Sequence, residues 1–283
     1  MKISTYYKIF YKHRITKANI FLKIYLILII PFRYLINIPY MKKEINLDEL
    51  AQKENFLFEK DLNYLFEYFN SDKGEKFVNQ YTQPIKREPN TQIKGHDYAK
   101  FYENFFKKLK SKELSIMEIG SFYGNAAASL FFYFKNSKIY SADIFPDLFR
   151  YKSKRIKNFY VDSSSEKSIE ECILSLNCNF EIIIEDASHS YKDQIISLFL
   201  LFPLIKPGGV FITEELDFPD TREDMNINKE KPTLREILYA IKSGKDFENK
   251  LITNEQKNYF INNIDNISIH KGNFNEIAMI TKK

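Results

Sequence analysis

Cysteine is scarce in this sequence, since Cys172 and Cys178 are the only two among 283 residues. They do not form a C-x-x-C pair, so neither a cysteine-based zinc site nor a disulfide scaffold is expected. A reducing cytoplasm is the simplest location for such a chain. Its 44% apolar and 28% charged residues are typical of one large globular domain or of a domain with an appendage.

Acidic residues are absent from positions 1–43, which hold nine of the 42 basic residues. The rest of the chain carries 33 basic and 37 acidic side chains. All of the excess positive charge therefore belongs to an N-terminal arm. The mildly acidic body that follows argues against binding of nucleic acid.

The arm also lacks a long apolar run, because its uninterrupted stretch from Ile24 to Phe32 has nine residues. As a helix this stretch would rise about 13 Å, whereas a bilayer core is about 30 Å thick. No small-x-small cleavage site follows the long basic leader, so a signal peptide fits poorly. Three interpretations stay open: an anchor at the inner face of a membrane, an arm packed on this body or on a second subunit of a homo-oligomer, and a true membrane span.

Five short apolar runs alternate with segments that suit helices, and each run ends in a carboxylate. This alternation predicts an α/β fold in which a parallel sheet has helices on both faces. Ligands of such sheets bind beyond the carboxyl ends of the strands, so the acids are expected to meet at one edge. They are Glu118, Asp143, Asp162, Glu185, Asp186, Glu214 and Glu215. A helix and a terminal hairpin are predicted after the fifth run.

The segment EIGSFYGNAA places Gly120 and Gly124 between the first strand and the helix that follows. Glycines there let the backbone approach a ligand closely, although the G-x-G-x-x-G spacing of dinucleotide folds is absent. Asp143 ends the second strand, where it can accept hydrogen bonds from both ribose hydroxyls of S-adenosylmethionine or NAD. Asp162 and Ser163 end the third strand and would face the adenine, while Asp162 also suits a turn or helix cap.

The segment EDASHSY follows the fourth strand and contains Asp186 and His189. Glu214 and Glu215 follow the fifth strand, which should be its neighbour. These carboxylates would make a hard site that suits Mg²⁺ or another divalent ion, which would acidify a substrate hydroxyl. His189 could accept the proton of that hydroxyl. Taken alone, this histidine is more often an ordinary turn residue, and its place beside the acids favours a chemical role.

These segments together resemble a known family. The E-x-G-x-x-x-G form, with an acid at the end of strand two, resembles the class I S-adenosylmethionine-dependent methyltransferases. The segments IIIEDASHSYKDQ and LIKPGGVFITEEL resemble their metal-dependent macrolide and rhamnosyl sugar O-methyltransferases of the mycinamicin type. SDKG (71–74) and HDYAKFYENFF (96–106) also resemble that family, so the resemblance covers roughly residues 71–216. It implies a Rossmann-like, mostly parallel seven-stranded sheet with a C-terminal antiparallel hairpin.

The resemblance also implies roles for single residues. Asp186, Glu214 and Glu215 would hold Mg²⁺ or another hard divalent ion, and His189 would be the base. The S-adenosyl-L-methionine site would comprise Glu118, Gly120, Gly124, Asp143, Asp162, Ser163 and Asp186. The acidic pair is Glu-Glu, where the family has Glu-Asp, and Ala187 replaces a glycine.

The expected function is therefore metal-assisted O-methylation of a sugar hydroxyl on a glycan, on a natural product or on an activated precursor. A methyltransferase for a phosphate-type, carboxylate or protein acceptor stays open, as does a non-catalytic module that binds the cofactor. We expect Tyr98, Tyr102 and the polar segment 217–231 to cover the acceptor.

Three parts of the chain are expected to differ in structure. Residues 1–43 would form the basic and apolar arm, and residues 44–110 a helical lead-in that covers the cofactor. Within the lead-in, apolar and aromatic positions at three- and four-residue spacings predict helices over residues 44–70. The prolines and polar residues of 79–95 predict an exposed loop. Residues 111–283 would form the methyltransferase domain.

Overall fold

The computed structural model describes residues 2–11, 15, 18–38, 43–78 and 92–283. The strands are β1 (Ile45–Asn46), β2 (Lys76–Val78), β3 (Gln92–Lys94), β4 (Ser115–Ile119), β5 (Lys138–Asp143), β6 (Tyr151–Lys152), β7 (Ile156–Tyr160), β8 (Phe180–Glu185), β9 (Ile205–Thr213), β10 (Ile264–Lys271) and β11 (Glu276–Lys282). The helices are α1 (Ile3–Phe10), α2 (Ile20–Asn37), α3 (Leu47–Lys53), α4 (Leu62–Tyr68), α5 (Ala99–Phe106), α6 (Asn125–Tyr133), α7 (Glu166–Leu176), α8 (Tyr191–Leu201), α9 (Phe218–Thr221), α10 (Leu234–Lys242) and α11 (Asn254–Asn263).

The main sheet has the strand order β10-β11-β9-β8-β4-β5-β7. Strands β4, β5, β7, β8 and β9 pair in parallel, while β11 runs antiparallel to both β9 and β10. The predicted α/β class is confirmed, and the sheet as a whole is mixed. The chain moves from β4 to β5 on one side and later returns to place β8 on the other side of β4. Such a reversal of strand order opens a crevice at the carboxyl ends of the strands.

Apolar side chains alternate between the two faces of the sheet, as the pleat of a strand requires. In β8, Ile182 and Ile184 face one buried cluster, which α4, α5 and α6 cover. Ile183 faces the other cluster, which α7, α8, α10 and α11 cover. This two-sided burial explains why the central strands read as nearly continuous apolar runs.

The lead-in begins with the helical segments predicted for residues 44–70, namely α3, a 3₁₀ turn at Asn55–Glu59 and α4. Most of the loop predicted over 79–95 lies outside the described residues. Its last part differs from the prediction, because Gln92–Lys94 forms β3 and pairs with β2. Backbone pairing in this short hairpin overrides the polar composition of the segment.

In the N-terminal arm, α1 and α2 form a buried cluster of their own that includes Tyr6, Tyr11, Leu26 and Ile30. Helix α2 continues through Pro31 and leaves most of its other apolar side chains exposed. Among the described residues, we find no helix whose length and apolar character would let it cross a membrane.

Candidate functional site

A cavity of about 710 Å³ opens at the carboxyl edge of the parallel strands. Most of the residues predicted for a site line it, although they come from the ends of five different strands. They are Glu118, Gly120, Asp143, Asp162, Ser163, Asp186, His189 and Glu215. Two predicted residues, Gly124 and Glu214, are not among the described residues that line the cavity.

Gly120 lets the end of β4 approach the end of β8. It has a φ of +89°, and a Cβ added there would overlap the main-chain carbonyl oxygen of Asp186. Gly124 has a φ of +79° and begins α6, where a Cβ would overlap the ring of Phe149. Both positions require glycine, but only Gly120 borders the cavity.

Backbone amides hold the carboxylate of Asp143 in the cavity wall. Its two oxygens accept hydrogen bonds from the N–H groups of Phe122 and Phe145, each at 2.7 Å. Burial raises the pKa of Asp143, and these two N–H groups counteract the rise. Asp162 instead accepts from the amide and the hydroxyl of Ser164, so it shapes the turn as well as lining the cavity.

Glu118 is a buried carboxylate at the floor of the cavity. Its Oε2 has no hydrogen-bond partner within the part of the chain that the structure describes. Burial raises the pKa of Glu118 to about 7. A buried acceptor without a donor is costly, so the geometry favours a ligand that brings an N–H or ammonium group to this oxygen.

Asp186, His189 and Glu215 converge on the other side of the cavity. His189 Nε2 lies 3.6 Å from Asp186 Oδ1, and His189 Nδ1 lies 3.6 Å from Glu215 Oε2. Each of the three residues offers one atom within 4.8 Å of the others that could bind a metal ion. Among the described residues, Glu215 Oε2 and His189 Nδ1 are buried without a hydrogen-bond partner. Two carboxylate oxygens and one imidazole nitrogen suit a divalent ion.

No motif in the sequence predicted the backbone conformation of three residues that line the cavity. Phe122, His189 and Glu215 line the cavity with φ values of +44°, +57° and +46°. The left-handed region costs a non-glycine residue roughly 1–3 kcal/mol, and such strain is concentrated at functional sites. The turns at His189 and Glu215 bring their side chains together beyond β8 and β9.

Lys73 is a buried cation that lines the same cavity, and no sequence motif predicted this position. Its Nζ contacts Asp186 Oδ2 and lies 2.8 Å from Glu214 Oε1. Burial lowers the pKa of Lys73, but the carboxylates of Asp186 and Glu214 raise it by more, so it lies well above its usual value. The only sequence signal for this role is that Lys73 belongs to the SDKG segment of the family resemblance.

His96 also approaches the acids, although no sequence motif assigned it a role. Its Nδ1 lies 3.2 Å from Glu215 Oε1, and its Nε2 lies 3.7 Å from Asp72 Oδ2. Burial lowers the pKa of His96. This histidine begins the HDYAKFYENFF segment, so the resemblance marked its surroundings without assigning it a role.

Of the residues expected to cover the acceptor, some line the cavity and others do not. Phe218 and Arg222, from the segment 217–231, line the cavity. Tyr98 and Tyr102 are both fully buried, and the Tyr102 hydroxyl donates to Glu214 Oε1. Tyr98 and Tyr102 therefore lie behind the acids rather than over the acceptor.

Known proteins resemble this chain in part of its sequence and in its fold. No family model matches the sequence. The chain is 29% identical over 128 residues to 8-demethyl-8-alpha-L-rhamnosyl tetracenomycin-C 2'-O-methyltransferase of Streptomyces olivaceus, a match that covers 43% of this chain and 33% of that protein. It is 26% identical to demethylmacrocin O-methyltransferase of Streptomyces fradiae, again covering 43% of this chain and 32% of that one. The chain thus matches about a third of the length of these curated relatives.

Among solved structures, the fold resembles MycE methyltransferase from the mycinamycin biosynthetic pathway, in complex with Mg, S-adenosylhomocysteine (SAH) and mycinamycin VI. The TM-score is 0.58 at 18% sequence identity, and the match covers 79% of this chain and 54% of that one. The curated relatives confirm the resemblance to sugar O-methyltransferases that the sequence motifs indicated, and the solved structure confirms the fold. The chain has the α/β fold of a class I methyltransferase.

Proposed function

We propose that this chain is an S-adenosylmethionine-dependent O-methyltransferase that uses a divalent ion, Mg²⁺ in the first instance, to methylate a sugar hydroxyl. One observation carries the proposal: a single cavity is lined by the turn at Gly120, by Asp143, which could bind a ribose, and by three residues that could bind a metal ion. The relatives named for O-methylation, and the solved MycE complex with Mg and SAH, support it.

The cofactor would occupy the side of the cavity formed by β4, β5 and β7. Asp143 would accept hydrogen bonds from the ribose hydroxyls, and Asp162 and Ser163 would border the adenine. Glu118 Oε2 would accept from the ammonium group of the methionine part, which gives this buried oxygen the donor that it lacks within the described chain.

The chain's own residues would prepare the acceptor on the other side. When bound, S-adenosylmethionine supplies the electrophilic methyl group, and the ion binds and acidifies the hydroxyl. Asp186 and Glu215 would hold the ion with carboxylate oxygens. Burial lowers the pKa of His189, so its imidazole is neutral near pH 7 and can take the hydroxyl proton. Because Nδ1 is buried, we place that proton on Nε2.

Phe218 and Arg222 would close the acceptor side. The Phe218 ring lies edge-on to His189, with centroids 5.3 Å apart, and the Arg222 guanidinium lies over that same ring, 4.6 Å from its centroid. This stack would exclude water from the imidazole while leaving room for a sugar. The acceptor would be a sugar of a glycan, of a natural product or of an activated precursor.

Transfer of labelled methyl from S-adenosylmethionine to simple rhamnosides and nucleotide sugars tests the proposal. We expect excess chelator to lower turnover by about 100-fold or more, because the hydroxyl then lacks the ion that acidifies it, and added Mg²⁺ to restore it. Mass spectrometry of the product locates the methyl group. Full turnover in chelator would contradict the role of the ion, and a methyl group on a carboxylate, a phosphate or a protein would contradict the sugar acceptor.

We further propose that the N-terminal arm contacts an anionic membrane surface from the cytoplasmic side. The side chains of Phe21, Leu28 and Phe32 on α2 are 82%, 66% and 66% exposed. Residues 1–43 carry nine basic and no acidic residues. An exposed apolar helix face within a purely basic segment suits the interface of anionic lipids.

Co-sedimentation of the full chain with vesicles tests this contact. We expect binding to vesicles that contain phosphatidylglycerol and little binding to pure phosphatidylcholine. Replacing Phe21, Leu28 and Phe32 with serine keeps every charge and should weaken binding by about tenfold or more, because apolar burial supplies much of the affinity. A different outcome is that the unchanged protein binds neither kind of vesicle and light scattering shows a dimer that the triple variant does not form. In that case the apolar face of α2 packs on a second subunit instead.

A further inference from the structure

Glu214 and Glu215 are adjacent in sequence but occupy different surroundings. Both are buried. Glu215 lines the cavity, and its Oε2 is near His189. Glu214 Oε1 instead accepts from the hydroxyl of Tyr102 and lies 2.8 Å from Lys73 Nζ. Glu215 therefore faces the cavity, whereas Glu214 faces the buried ammonium group of Lys73.

The segment that carries Lys73 is fixed to the helix that carries Tyr102. The main-chain carbonyl of Lys73 accepts from the N–H groups of Tyr98 and Ala99, at 2.9 and 3.2 Å, where α5 begins. Tyr102 lies one turn further along α5. The two groups that bind Glu214 are therefore held in a single unit.

Two sources of positive charge would balance the three acids at this end of the cavity. Asp186, Glu214 and Glu215 together carry three negative charges when ionised. Lys73 supplies one positive charge and a divalent ion would supply two, so the acids are neutralised when both are present. Lys73 contacts Asp186 through Oδ2, which leaves Oδ1 on the side of His189.

We propose that Lys73 is a positioning residue that divides the three acids. It takes Glu214 as its partner and fixes one oxygen of Asp186, so that Asp186 Oδ1 and Glu215 are the carboxylate ligands of the ion. Glu214 is then a counter-ion of Lys73 and not a metal ligand. The part of this inference that concerns the ion depends on the function proposed above, whereas the pairing of Lys73 with Glu214 does not.

Titration calorimetry with Mg²⁺ on two matched variants tests whether Glu215, and not Glu214, is a ligand of the ion. Glu215→Gln should raise the dissociation constant of Mg²⁺ by about 30-fold or more, because it removes a ligand charge. Glu214→Gln should change that constant by less than about threefold, since a glutamine oxygen can still accept from Lys73 and Tyr102. A purely structural role of both glutamates would not separate the two variants in this way. Equal losses of Mg²⁺ affinity would overturn the proposal.

Urea unfolding in excess chelator tests the pairing itself. Lys73→Met should raise the unfolding equilibrium constant by about 100-fold or more, because it leaves Glu214 buried without its cation. Adding Glu214→Gln to Lys73→Met should recover at least about tenfold of that loss. No recovery in the double variant would overturn the pairing. If no variant binds Mg²⁺ but the recovery is seen, the proposed metal role fails while the pairing stands.

Discussion

Replacement of His189 by alanine is expected to lower kcat by about 1,000-fold, within the range that a positioned general base contributes. The side chain lies between Asp186 and Glu215 at the cavity wall, and burial keeps its pKa low enough for a neutral imidazole. If His189 is the base, the variant lacks the group that takes the proton of the acceptor hydroxyl. Single-turnover kinetics with S-adenosylmethionine and the best sugar acceptor would measure the loss.

Two binding measurements separate a base from a metal ligand at this position. If His189 is the base, the alanine variant should bind SAH and Mg²⁺ with dissociation constants within about threefold of the unchanged protein, because neither contact is removed. If His189 is mainly a ligand, the affinity for Mg²⁺ falls together with kcat. His270→Ala is a matched control, since His270 lies on β10, stacks on Phe101 and is not among the described residues that line the cavity. Its turnover should be unchanged.

The position of the site could be predicted because it depends on strand ends. Parallel strands bring their carboxyl ends to one edge, so acids that end separate apolar runs had to meet. Asp143, Asp186 and Glu215 line the same cavity for this reason. The helical segments of residues 44–70 were also predictable, because their apolar spacing follows the helical period.

The partners of these acids could not be predicted in the same way. Lys73 and Asp186 are 113 positions apart, and the contact forms only when the lead-in packs against the sheet. A lysine beside a glycine in a polar segment is usually solvated, so its burial has no local signature. His96 is placed by the same packing of the lead-in. The family resemblance marked both segments but gave neither residue a role.

The sequence could not predict whether Glu214 or Glu215 faces the cavity, for a different reason. In an extended strand, neighbouring side chains point to opposite faces, so the sequence indicates that the two glutamates separate but not which one reaches the ligand. Strand β9 ends at Thr213, and the φ of +46° at Glu215 turns the chain there. That conformation directs Glu215 to the cavity, and nothing in the residue types demands it.

Gly120→Ala is expected to destabilise the protein by about 2–5 kcal/mol, since a left-handed conformation costs about 1–2 kcal/mol and an overlap in a packed site about 1–3 kcal/mol. Gly120 has a φ of +89°, and its added Cβ would overlap the carbonyl oxygen of Asp186. Relief of that overlap must move the turn after β4 away from the turn after β8. Both turns line the cavity, so SAH binding should weaken by at least about tenfold. Urea unfolding and titration calorimetry would measure the two effects.

Gly244→Ala separates the two causes, because Gly244 also has a positive φ, +66°, but a Cβ there would meet no atom within 4 Å. This control should cost about 1–2 kcal/mol through conformation alone and leave SAH binding unchanged. The difference between the variants then measures how closely β4 and β8 must approach. If Gly120→Ala cost no more than Gly244→Ala and bound SAH normally, the close approach would not be needed for the cofactor site. A larger cost accompanied by weaker binding would mean that the contact between the Gly120 and Asp186 backbones joins the proposed cofactor side of the cavity to the side proposed to hold the ion.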